Sequence, residues 1–263
     1  LDGLEFDIGI FTNLTRDHLD YHKTYKNYLN SKLILFKKLL KKKSYAIYDN
    51  ELKISSNLNK ITKYNKIKRL TLGNSKSSFT IINHQFLKDE QKITFTFDKR
   101  KYSFSTKLIG SIQIKNLLMA IMAAMKSKIL LEKILKITQK IKPVNGRLEK
   151  VGNLHNHGIV ILDYAHTPDA LMTCIKNVKE QFKLRKINLV FGCGGERDKP
   201  KRKIMGNIAN RYCDKIYLTD DNPRSEDPNK IRRDIRSDIA KSKVIEIPSR
   251  ESAIKSAILD IKS

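Results

Sequence analysis

Residues 8–22 read Ile-Gly-Ile-Phe-Thr-Asn-Leu-Thr-Arg-Asp-His-Leu-Asp-Tyr-His, an apolar run followed directly by polar and ionisable side chains. The apolar run, Ile8–Phe11, predicts a buried strand. Thr24 follows and is a suitable N-cap for a helical pattern that begins at Tyr25. Open α/β proteins place their ligand sites just beyond the carboxyl ends of such strands. The stretch therefore predicts an α/β fold with chemistry in the loop after the strand.

One charged side chain lies on the stripe of the predicted helix that should face inward. The stripe consists, at helical spacing, of Tyr25, Tyr28, Leu29, Lys32, Phe36 and Leu39. Lys32 either extends its amine to solvent along the rim of the core or sits there as a neutral amine. A neutral amine can react with carbon dioxide, and the carbamate that forms is an anion able to bind a cation. His18, Asp17 and Asp20 are near enough in sequence to join such a site, and spacing alone leaves both interpretations open.

The chain has 263 residues, of which 40% are apolar, enough for two domains with real cores. No run approaches the 18 apolar residues of a membrane span, so none is predicted. The N-terminus has no signal-peptide pattern and no initiator Met, so we expect an excised part of a longer protein. Cys174, Cys193 and Cys213 are odd in number and far apart, which is typical of a reducing compartment. We therefore expect a cytoplasmic protein.

Fifty-three Lys and Arg against 27 Asp and Glu give a formal net charge of +26. Such a balance suits a nucleic acid, an acidic membrane or an anionic substrate. The lysines are scattered, apart from positions 37–38 and 41–43, and Ile and Asn are also abundant, as an AT-rich genome would produce. A basic nucleic-acid-binding module would bind with strong salt dependence. Because we find no basic stripe interleaved with aromatic residues, we favour compositional drift, which an anionic small-molecule substrate still fits.

A turn at 143–147, Pro-Val-Asn-Gly-Arg, divides the chain into predicted domains at residues 1–143 and 144–263. In the first, residues 44–108 have a strand-like pattern. Alternation around Ile93–Phe97 and Tyr102–Phe104 predicts a hairpin with its turn at Asp98–Lys101. Helices are predicted over residues 112–125 and 130–140.

The second predicted domain alternates four strands with four helices, which indicates a parallel, doubly wound sheet. The strands are predicted at 159–162, 187–191, 215–218 and 244–247, and the helices at 168–182, 201–212, 228–240 and from 249 onward. Thr167 and Asp227 are the predicted caps of the first and third helices. Since the carboxyl ends of parallel strands share one edge, the loops 163–166, 192–198 and 219–224 should meet there.

Each of these loops carries candidate ligand-binding groups. Glycines 192, 194 and 195 let the backbone approach a ligand and present amides to an anion. The third glycine of a dinucleotide fingerprint would fall at Arg197, which weakens a dinucleotide-dependent oxidoreductase as an alternative. Arg197 and Arg224 can each pair with a carboxylate or phosphate, and with Asp221 and Asn222 they predict an amino-acid-like ligand. Asp163 and Tyr164 could hold a ribose or a ring, and His166 is either a site residue or a structural one.

Five motifs together resemble the Mur ligase family; they are the residues at 13–22, 146–149, 163–169, 191–198 and 219–224. The resemblance implies the later part of a central ATPase domain followed by an incomplete, Rossmann-like C-terminal domain. No Gly-x-x-x-x-Gly-Lys-Ser/Thr phosphate loop occurs in these residues. We therefore expect the 263 residues alone to be inactive.

The resemblance also implies ATP and Mg²⁺ as cofactors and a role for individual residues. Lys32 would be the carbamylated lysine that helps hold magnesium, and His18 a magnesium ligand. ATP-contacting positions would be Asn116, Arg147, Asp163 and His166. Gln113 stands where the family has an asparagine, which leaves its adenine contact in doubt. The amino-acid pocket would contain Arg197, Asp221, Asn222, Pro223 and Arg224.

The Asp-Asn-Pro-Arg run at 221–224 is similar to that of family members that select meso-2,6-diaminopimelate. Such an enzyme joins it to UDP-N-acetylmuramoyl-L-alanyl-D-glutamate through an acyl phosphate, in peptidoglycan precursor synthesis. Arg224 would pair with the distal carboxylate, which lysine lacks. A folyl-polyglutamate synthetase-like ligase is the alternative enzyme, and this run argues against it. We expect a monomer that binds no nucleic acid.

Overall fold

A computed structural model describes residues 3–15, 19–73, 75–154, 158–196 and 198–261, with the side chains of Leu19 and Asp20 outside the description. The chain divides into two compact units, Leu1–Lys142 and Pro143–Ser263. Over the residues described, no helix is long and apolar enough to cross a membrane.

The first unit is built on a mixed sheet whose strands lie side by side in chain order. Across the described part of this unit the strands are β1 (Phe6–Phe11), β2 (Leu40–Asp49), β3 (Lys68–Gly73), β4 (Phe79–Phe86), β5 (Gln91–Phe97) and β6 (Arg100–Thr106). Neighbours from β1 to β4 are parallel, and β4, β5 and β6 are antiparallel. The strand predicted at Ile8–Phe11 is confirmed as part of β1.

Helices cover both faces of this sheet. They are α1 (Leu19–His22), α2 (Tyr25–Ile34), α3 (Ser55–Tyr64), α4 (Ser111–Lys126) and α5 (Leu131–Ile137). Successive side chains of β2 point to opposite faces, so Ile47 joins the core under α4 and α5, while Ala46 and Tyr48 join the core under α2 and α3. The predicted cap is confirmed, because Thr24 Oγ1 accepts the Asn27 N–H at 3.1 Å. After α2 the chain continues as one π-helical turn, Leu35–Leu39.

The strand-like interpretation of residues 44–108 is wrong for α3. Leu58 and Thr62 are buried four residues apart, which is one face of a helix whose other positions are polar. The predicted hairpin is confirmed by the pairing of β5 with β6. Its connection is shorter than expected: Asp98 and Lys99 both have positive φ, 47° and 61°, as a two-residue hairpin loop requires.

The described strands of the second unit are β7 (Glu149–Asn153), β8 (Ile159–Leu162), β9 (Asn188–Phe191), β10 (Lys215–Leu218) and β11 (Val244–Glu246). β9, β10 and β11 form a parallel sheet with β10 in the centre. The helices are α6 (Pro168–Gln181), α7 (Pro200–Tyr212), α8 (Pro228–Arg236) and α9 (Arg250–Leu259). The predicted caps are confirmed: Thr167 Oγ1 accepts the Ala170 N–H, and Asp227 Oδ1 accepts the Asn229 N–H.

The prediction that β8 belongs to the parallel sheet is wrong. Where the structure describes it, β8 pairs only with β7, antiparallel, with Glu149 opposite Leu162 and Asn153 opposite Ile159. The sequence analysis missed β7 because its residues, Glu-Lys-Val-Gly-Asn, include only one β-branched side chain, that of Val151, among polar residues and a glycine that disfavour strands. The sequence analysis therefore did not predict a neighbouring strand that could pair with β8 outside the parallel sheet.

Candidate functional site

Two loops lie side by side at the carboxyl end of the parallel sheet. The first, which we name the glycine loop, follows β9 and comprises residues 192–199; the second, the DNPR loop, follows β10 and comprises residues 219–227. The Gly195 N–H donates to the Asn222 carbonyl at 2.9 Å, and the Thr219 N–H donates to the Phe191 carbonyl at 3.0 Å. The prediction that these loops meet at one edge is confirmed.

Glycine is required for this close approach at two positions. A Cβ on Gly192 would overlap the Thr219 carbonyl oxygen, and a Cβ on Gly195 would overlap that of Pro223. Both obstacles are backbone atoms, which cannot swing aside as a flexible side chain can. The glycines therefore let two backbones touch, whereas the sequence analysis assigned them to a ligand.

Arg224 bridges the two loops. Its Nη1 donates to the Gly195 carbonyl, and its own N–H donates to Asn222 Oδ1 at 3.3 Å. The backbone φ of Arg224 is +52°, in the left-handed region that non-glycine residues adopt with strain. Arg224 is exposed.

The residues predicted beside Arg224 lie on the same loop. Asp221 and Asn222 are exposed and Pro223 is half-buried. Arg250, at the start of α9, lies 3.6 Å from the Asp221 carboxylate and donates to the Asp220 carbonyl at 2.9 Å. The structure thus brings together four predicted residues, 221–224, on a loop that is itself anchored. The fifth, Arg197, lies outside the described residues.

A buried arginine beneath these loops was missed by the sequence analysis. Arg202 on α7 is 1% exposed and forms a two-pronged ion pair with Glu226, with N–O distances of 2.9 and 3.0 Å. It also donates to Asp234 on α8 at 3.0 Å. The signal was available, because Arg202 shares the buried face of α7 with Met205 and Ala209 at spacings of three and four. The same reasoning that singled out Lys32 would have found it.

Glu226 is held as a carboxylate. The Arg202 guanidinium, with the Glu196 N–H and Lys199, lowers the pKa of the Glu226 carboxyl from about 4.5 to about 2. A carboxyl whose pKa is lowered by folding stabilises the fold above its unfolded-state pKa and loses that contribution as the pH falls. The ion pair therefore persists through the neutral range and weakens between about pH 4.5 and 2.

Replacing Glu226 with glutamine should consequently destabilise the chain at pH 7 and do so less at pH 3, since the glutamine cannot carry the charge that acid removes. Urea unfolding followed by circular dichroism at pH 7, 5, 4 and 3 measures the difference from the unsubstituted chain. Glu251→Gln is the control, because the exposed Glu251 pairs only along its own helix with Lys255 at 2.6 Å. A Glu226→Gln difference that stays constant with pH would contradict the prediction.

A second buried arginine supports the DNPR loop from the other side. Arg232 on α8 is 4% exposed; its Nε donates to Glu246 at 2.8 Å, and its Nη1 donates to the Asp220 carboxylate. Thr219 Oγ1 donates to the Pro248 carbonyl at 2.9 Å. The start of the loop is therefore tied to neighbouring elements by Thr219 and Asp220, as its end is by Glu226.

Cys193 in the glycine loop is a packing residue. It is 4% exposed and its Sγ lies 3.7 Å from Met205 Sδ. Burial raises the pKa of the Cys193 thiol to about 11, so it is protonated at neutral pH. A protonated thiol is a poor nucleophile, and the chemistry of this loop lies elsewhere.

The residues predicted at the end of β8 lie together in the second unit. Asp163 accepts two backbone N–H groups, from Leu148 and Ala165, each at 2.9 Å. The Arg147 guanidinium lies 5.0 Å from the centre of the exposed Tyr164 ring. These contacts fold the 146–149 motif onto the 163–166 loop.

The exposed His166 side chain also belongs to this group. Its Nδ1 lies 3.1 Å from the Tyr164 carbonyl and, since a carbonyl only accepts, carries the proton. Lys201, on the first turn of α7, donates to the His166 carbonyl at 3.0 Å. The loop after β8 therefore lies next to the helix that follows the glycine loop, although β8 is not in that sheet.

Asn116 lies on the exposed face of α4, and its neighbour Gln113 is half-buried. The opposite face of the helix is apolar and buried, with Leu117 and Leu118 in the core. Lys115 donates to the buried Asp49 carboxylate at 2.6 Å. This ion pair joins α4 to the end of β2 and leaves Asn116 facing solvent.

Lys32 is half-buried on α2 and reaches the loop after β1. Its Nζ donates to the Asn13 carbonyl at 3.4 Å and lies 5.1 Å from the centre of the Tyr28 ring. No described carboxylate lies within 4 Å of this amine, and no cluster of three metal-ligating side chains occurs among the described residues. His18, which was predicted to share the site, lies outside them.

Comparison with known proteins gives the family of both units. Residues 1–124 match the family described as the Mur ligase middle domain, and residues 146–263 match the Mur ligase glutamate ligase domain. The chain belongs to the Mur ligase family. The resemblance drawn from the five motifs is thereby confirmed.

Among curated relatives, the UDP-N-acetylmuramoyl-L-alanyl-D-glutamate–2,6-diaminopimelate ligase of Rickettsia bellii is 40% identical over the whole of this Mur ligase chain. The matched part is 54% of that enzyme, so the chain spans about half the length of the curated relatives it matches.

Solved structures agree on the fold. A structure of a 2,6-diaminopimelate ligase of the same description is 29% identical with a TM-score of 0.66, and the match covers 99% of this chain and 53% of the other. A Mycobacterium tuberculosis folylpolyglutamate synthase complexed with ADP and AMPPCP has a TM-score of 0.77 at 17% identity, covering 95% of this chain and 56% of the other. The latter likeness concerns the fold alone.

Proposed function

We propose that this Mur ligase chain is part of an ATP-dependent ligase that adds meso-2,6-diaminopimelate to UDP-N-acetylmuramoyl-L-alanyl-D-glutamate. The observation that carries the proposal is the Asp-Asn-Pro-Arg loop, which presents an exposed guanidinium beside exposed Asp221 and Asn222. Whole-chain identity of 40% to a relative named for this reaction supports it. The product would enter peptidoglycan synthesis and thereby serve cell-wall biogenesis, cell shape and cell division.

The two units divide the work in this proposal. Residues 1–143 form the later part of the central, ATP-binding domain, and residues 144–263 form a Rossmann-like domain that binds the amino acid. Both family matches and the boundary between the compact units, at Lys142, are compatible with that division. We also propose that the working enzyme is a cytoplasmic monomer with no nucleic-acid partner; the three widely spaced cysteines support a reducing compartment, and the scattered lysines support the lack of a nucleic-acid partner.

The DNPR loop would bind diaminopimelate by both of its charged ends. Arg224 donates two N–H groups to the distal carboxylate, a geometry that a guanidinium suits better than an ammonium. Asp221 and Asn222 accept hydrogen bonds from the ammonium group. Pro223, whose ring fixes its own φ, limits the backbone motion of Asn222 and Arg224 on either side of it. Arg197 completes the pocket in this assignment. Lysine has no distal carboxylate, so Arg224 would remain unpaired with lysine bound.

Four residues are the proposed contacts to ATP, and each is described within its own unit. Asn116 is exposed on α4 and can donate to the base or the ribose, while Arg147, Asp163 and His166 come from the second unit. Asp163 accepts the Leu148 and Ala165 N–H groups and, in this proposal, also contacts ATP. A MurF ligase of Thermotoga maritima, similar in fold at a TM-score of 0.67, is described in complex with ADP.

In this proposal Mg²⁺ binds beside a carbamylated Lys32, as the family resemblance implies. Lys32 is half-buried, and its Nζ contacts the Asn13 carbonyl and the Tyr28 ring; bonding of this amine to carbon dioxide would give the carbamate. The carbamate oxygens of Lys32 and a ring nitrogen of His18 would be the protein ligands. Mg²⁺ held there would supply positive charge to offset that on the phosphoryl group passing from ATP to the D-glutamyl carboxylate. The amine of diaminopimelate then displaces phosphate from the acyl phosphate and forms the amide bond.

Phosphate release tests the assignment. Residues 1–263 alone should release none, because they contain no phosphate loop to hold ATP. A fusion in which residues 1–263 replace the matched stretch of the Rickettsia bellii relative, called here the fused ligase, should release phosphate only with ATP, the UDP-linked dipeptide and meso-diaminopimelate. Turnover by residues 1–263 alone, or release that depends on a folate with L-glutamate, would be evidence against it.

A further inference from the structure

One carboxylate joins both loops of the candidate pocket to the helix below them. Glu226, in the DNPR loop, accepts from Arg202 on α7 with both oxygens, at 2.9 and 3.0 Å. Its Oε1, which accepts from Arg202 Nη2, also accepts the Glu196 N–H of the glycine loop at 2.5 Å. Glu226 therefore fixes three elements relative to one another.

The bridge lies next to the residue that would select the substrate. Arg224 is two residues before Glu226, and Gly195, whose carbonyl Arg224 contacts, is next to Glu196. A shift between the two loops would change both ends of the Arg224 contact. Ser225 adds one further tie, since its hydroxyl donates to the Glu196 carboxylate.

Stability alone does not account for a buried arginine in this place. Desolvating a guanidinium costs free energy that ion pairing often only balances, and an apolar side chain among Met205 and Ala209 would suit the core as well. Arg202 also donates to Asp234 on the neighbouring helix, a contact that involves neither loop. The two partners of Arg202 can therefore be tested separately, one as a loop bridge and one as a helix-to-helix contact.

We propose that Arg202 is a positioning residue: through Glu226 it sets the spacing of the glycine loop and the DNPR loop, and so aims Arg224 at the distal carboxylate of the amino acid. The identity of the ligand rests on the proposed function, whereas the bridge between the loops does not. Arg202 itself is buried and makes no contact with the ligand.

Two measurements on the 263-residue chain test the loop bridge and the amino-acid pocket separately. Amide hydrogen exchange at Glu196, followed by nuclear magnetic resonance, reports the loop bridge without any ligand. Isothermal titration calorimetry with meso-diaminopimelate gives the Kd of the amino-acid pocket. For Arg202→Lys and Glu226→Gln we expect exchange at Glu196 at least tenfold faster and a Kd at least tenfold higher. A lysine cannot reproduce the two-pronged pair, and the glutamine keeps the size of Glu226 without its charge.

Asp234→Asn is the matched control, since it removes an ion pair from the same arginine and leaves the loop bridge intact. We expect its exchange at Glu196 and its Kd to stay within about twofold of the unsubstituted chain. Equal effects of Asp234→Asn and Glu226→Gln on Kd would overturn the positioning role in favour of a general packing role. An unchanged Kd for Glu226→Gln, together with faster exchange at Glu196, would also overturn the positioning role. If Arg202→Lys does not fold, the exchange at Glu196 and the Kd of Glu226→Gln test the positioning role.

The unsubstituted chain separates the two proposals. If it does not bind diaminopimelate, the proposed amino-acid pocket fails in this chain. The loop bridge is then judged by the exchange at Glu196 alone, where no difference between Glu226→Gln and Asp234→Asn would overturn it.

Discussion

Replacing Lys32 with arginine is expected to lower the kcat of the fused ligase by about 10²–10³-fold, the usual cost of removing one group that stabilises transition-state charge. Arginine keeps the positive charge and can still contact the Asn13 carbonyl and the Tyr28 ring. Arginine cannot form a carbamate, because its guanidinium does not lose its proton. Charge and packing are thus preserved while carbamylation is removed.

Lys26→Arg is the matched control for Lys32→Arg, since Lys26 is an exposed lysine of the same helix, and it should leave kcat within about twofold. With ¹³C-labelled carbon dioxide, the unsubstituted chain should show a carbamate signal that Lys32→Arg lacks. Near-normal turnover by Lys32→Arg would instead support a lysine that extends its amine to solvent along the rim of the core.

Replacing Arg224 with alanine should raise the KM of the fused ligase for meso-diaminopimelate by about 10–100-fold, because a hydrogen bond to a charged group is worth about 1.5–3 kcal/mol. The KM for ATP should change by less than about twofold. Alanine has the same Cβ, so the backbone at φ +52° is no more strained than before. Any effect therefore comes from the lost guanidinium.

The control for Arg224→Ala is Arg233→Ala. Arg233 on α8 is 72% exposed and lies 3.9 Å from Asp227, a weak surface pair whose loss should leave both KM values unchanged. Arg224→Lys should fall between the unsubstituted and alanine forms, since an ammonium keeps the charge without the two-pronged geometry. Equal increases in the two KM values would place Arg224 outside amino-acid recognition.

Much of the local structure followed from residues close in sequence. Thr24, Thr167 and Asp227 each accept a backbone N–H two or three positions ahead, so the sequence alone places those helix starts. The hairpin of β5 and β6 followed in the same way from alternation across a short connection. The approach of the glycine loop to the DNPR loop could also be foreseen, because parallel strands deliver their ends to one edge.

Other features depended on partners far away in the chain. The polar β7 becomes a strand only because β8 supplies its hydrogen bonds, and α3 appears within a stretch that otherwise alternates. For the candidate site, sequence reasoning chose the residues of both loops and missed the arginine between them. Arg202 needs Glu226, 24 residues later, and Asp234, 32 residues later, before its burial makes physical sense.

By itself the sequence determined the starts of the helices capped by Thr24, Thr167 and Asp227, the strands of the hairpin and the loops that carry charged side chains, since those properties depend on neighbours within a turn or a strand. The tertiary structure alone decided which strand pairs with which and which partners the buried charges have. It decided in particular that the glycines serve contact between two backbones. Strand pairing and the partners of a buried charge are set by the free energy of contacts between distant segments, which no local pattern contains.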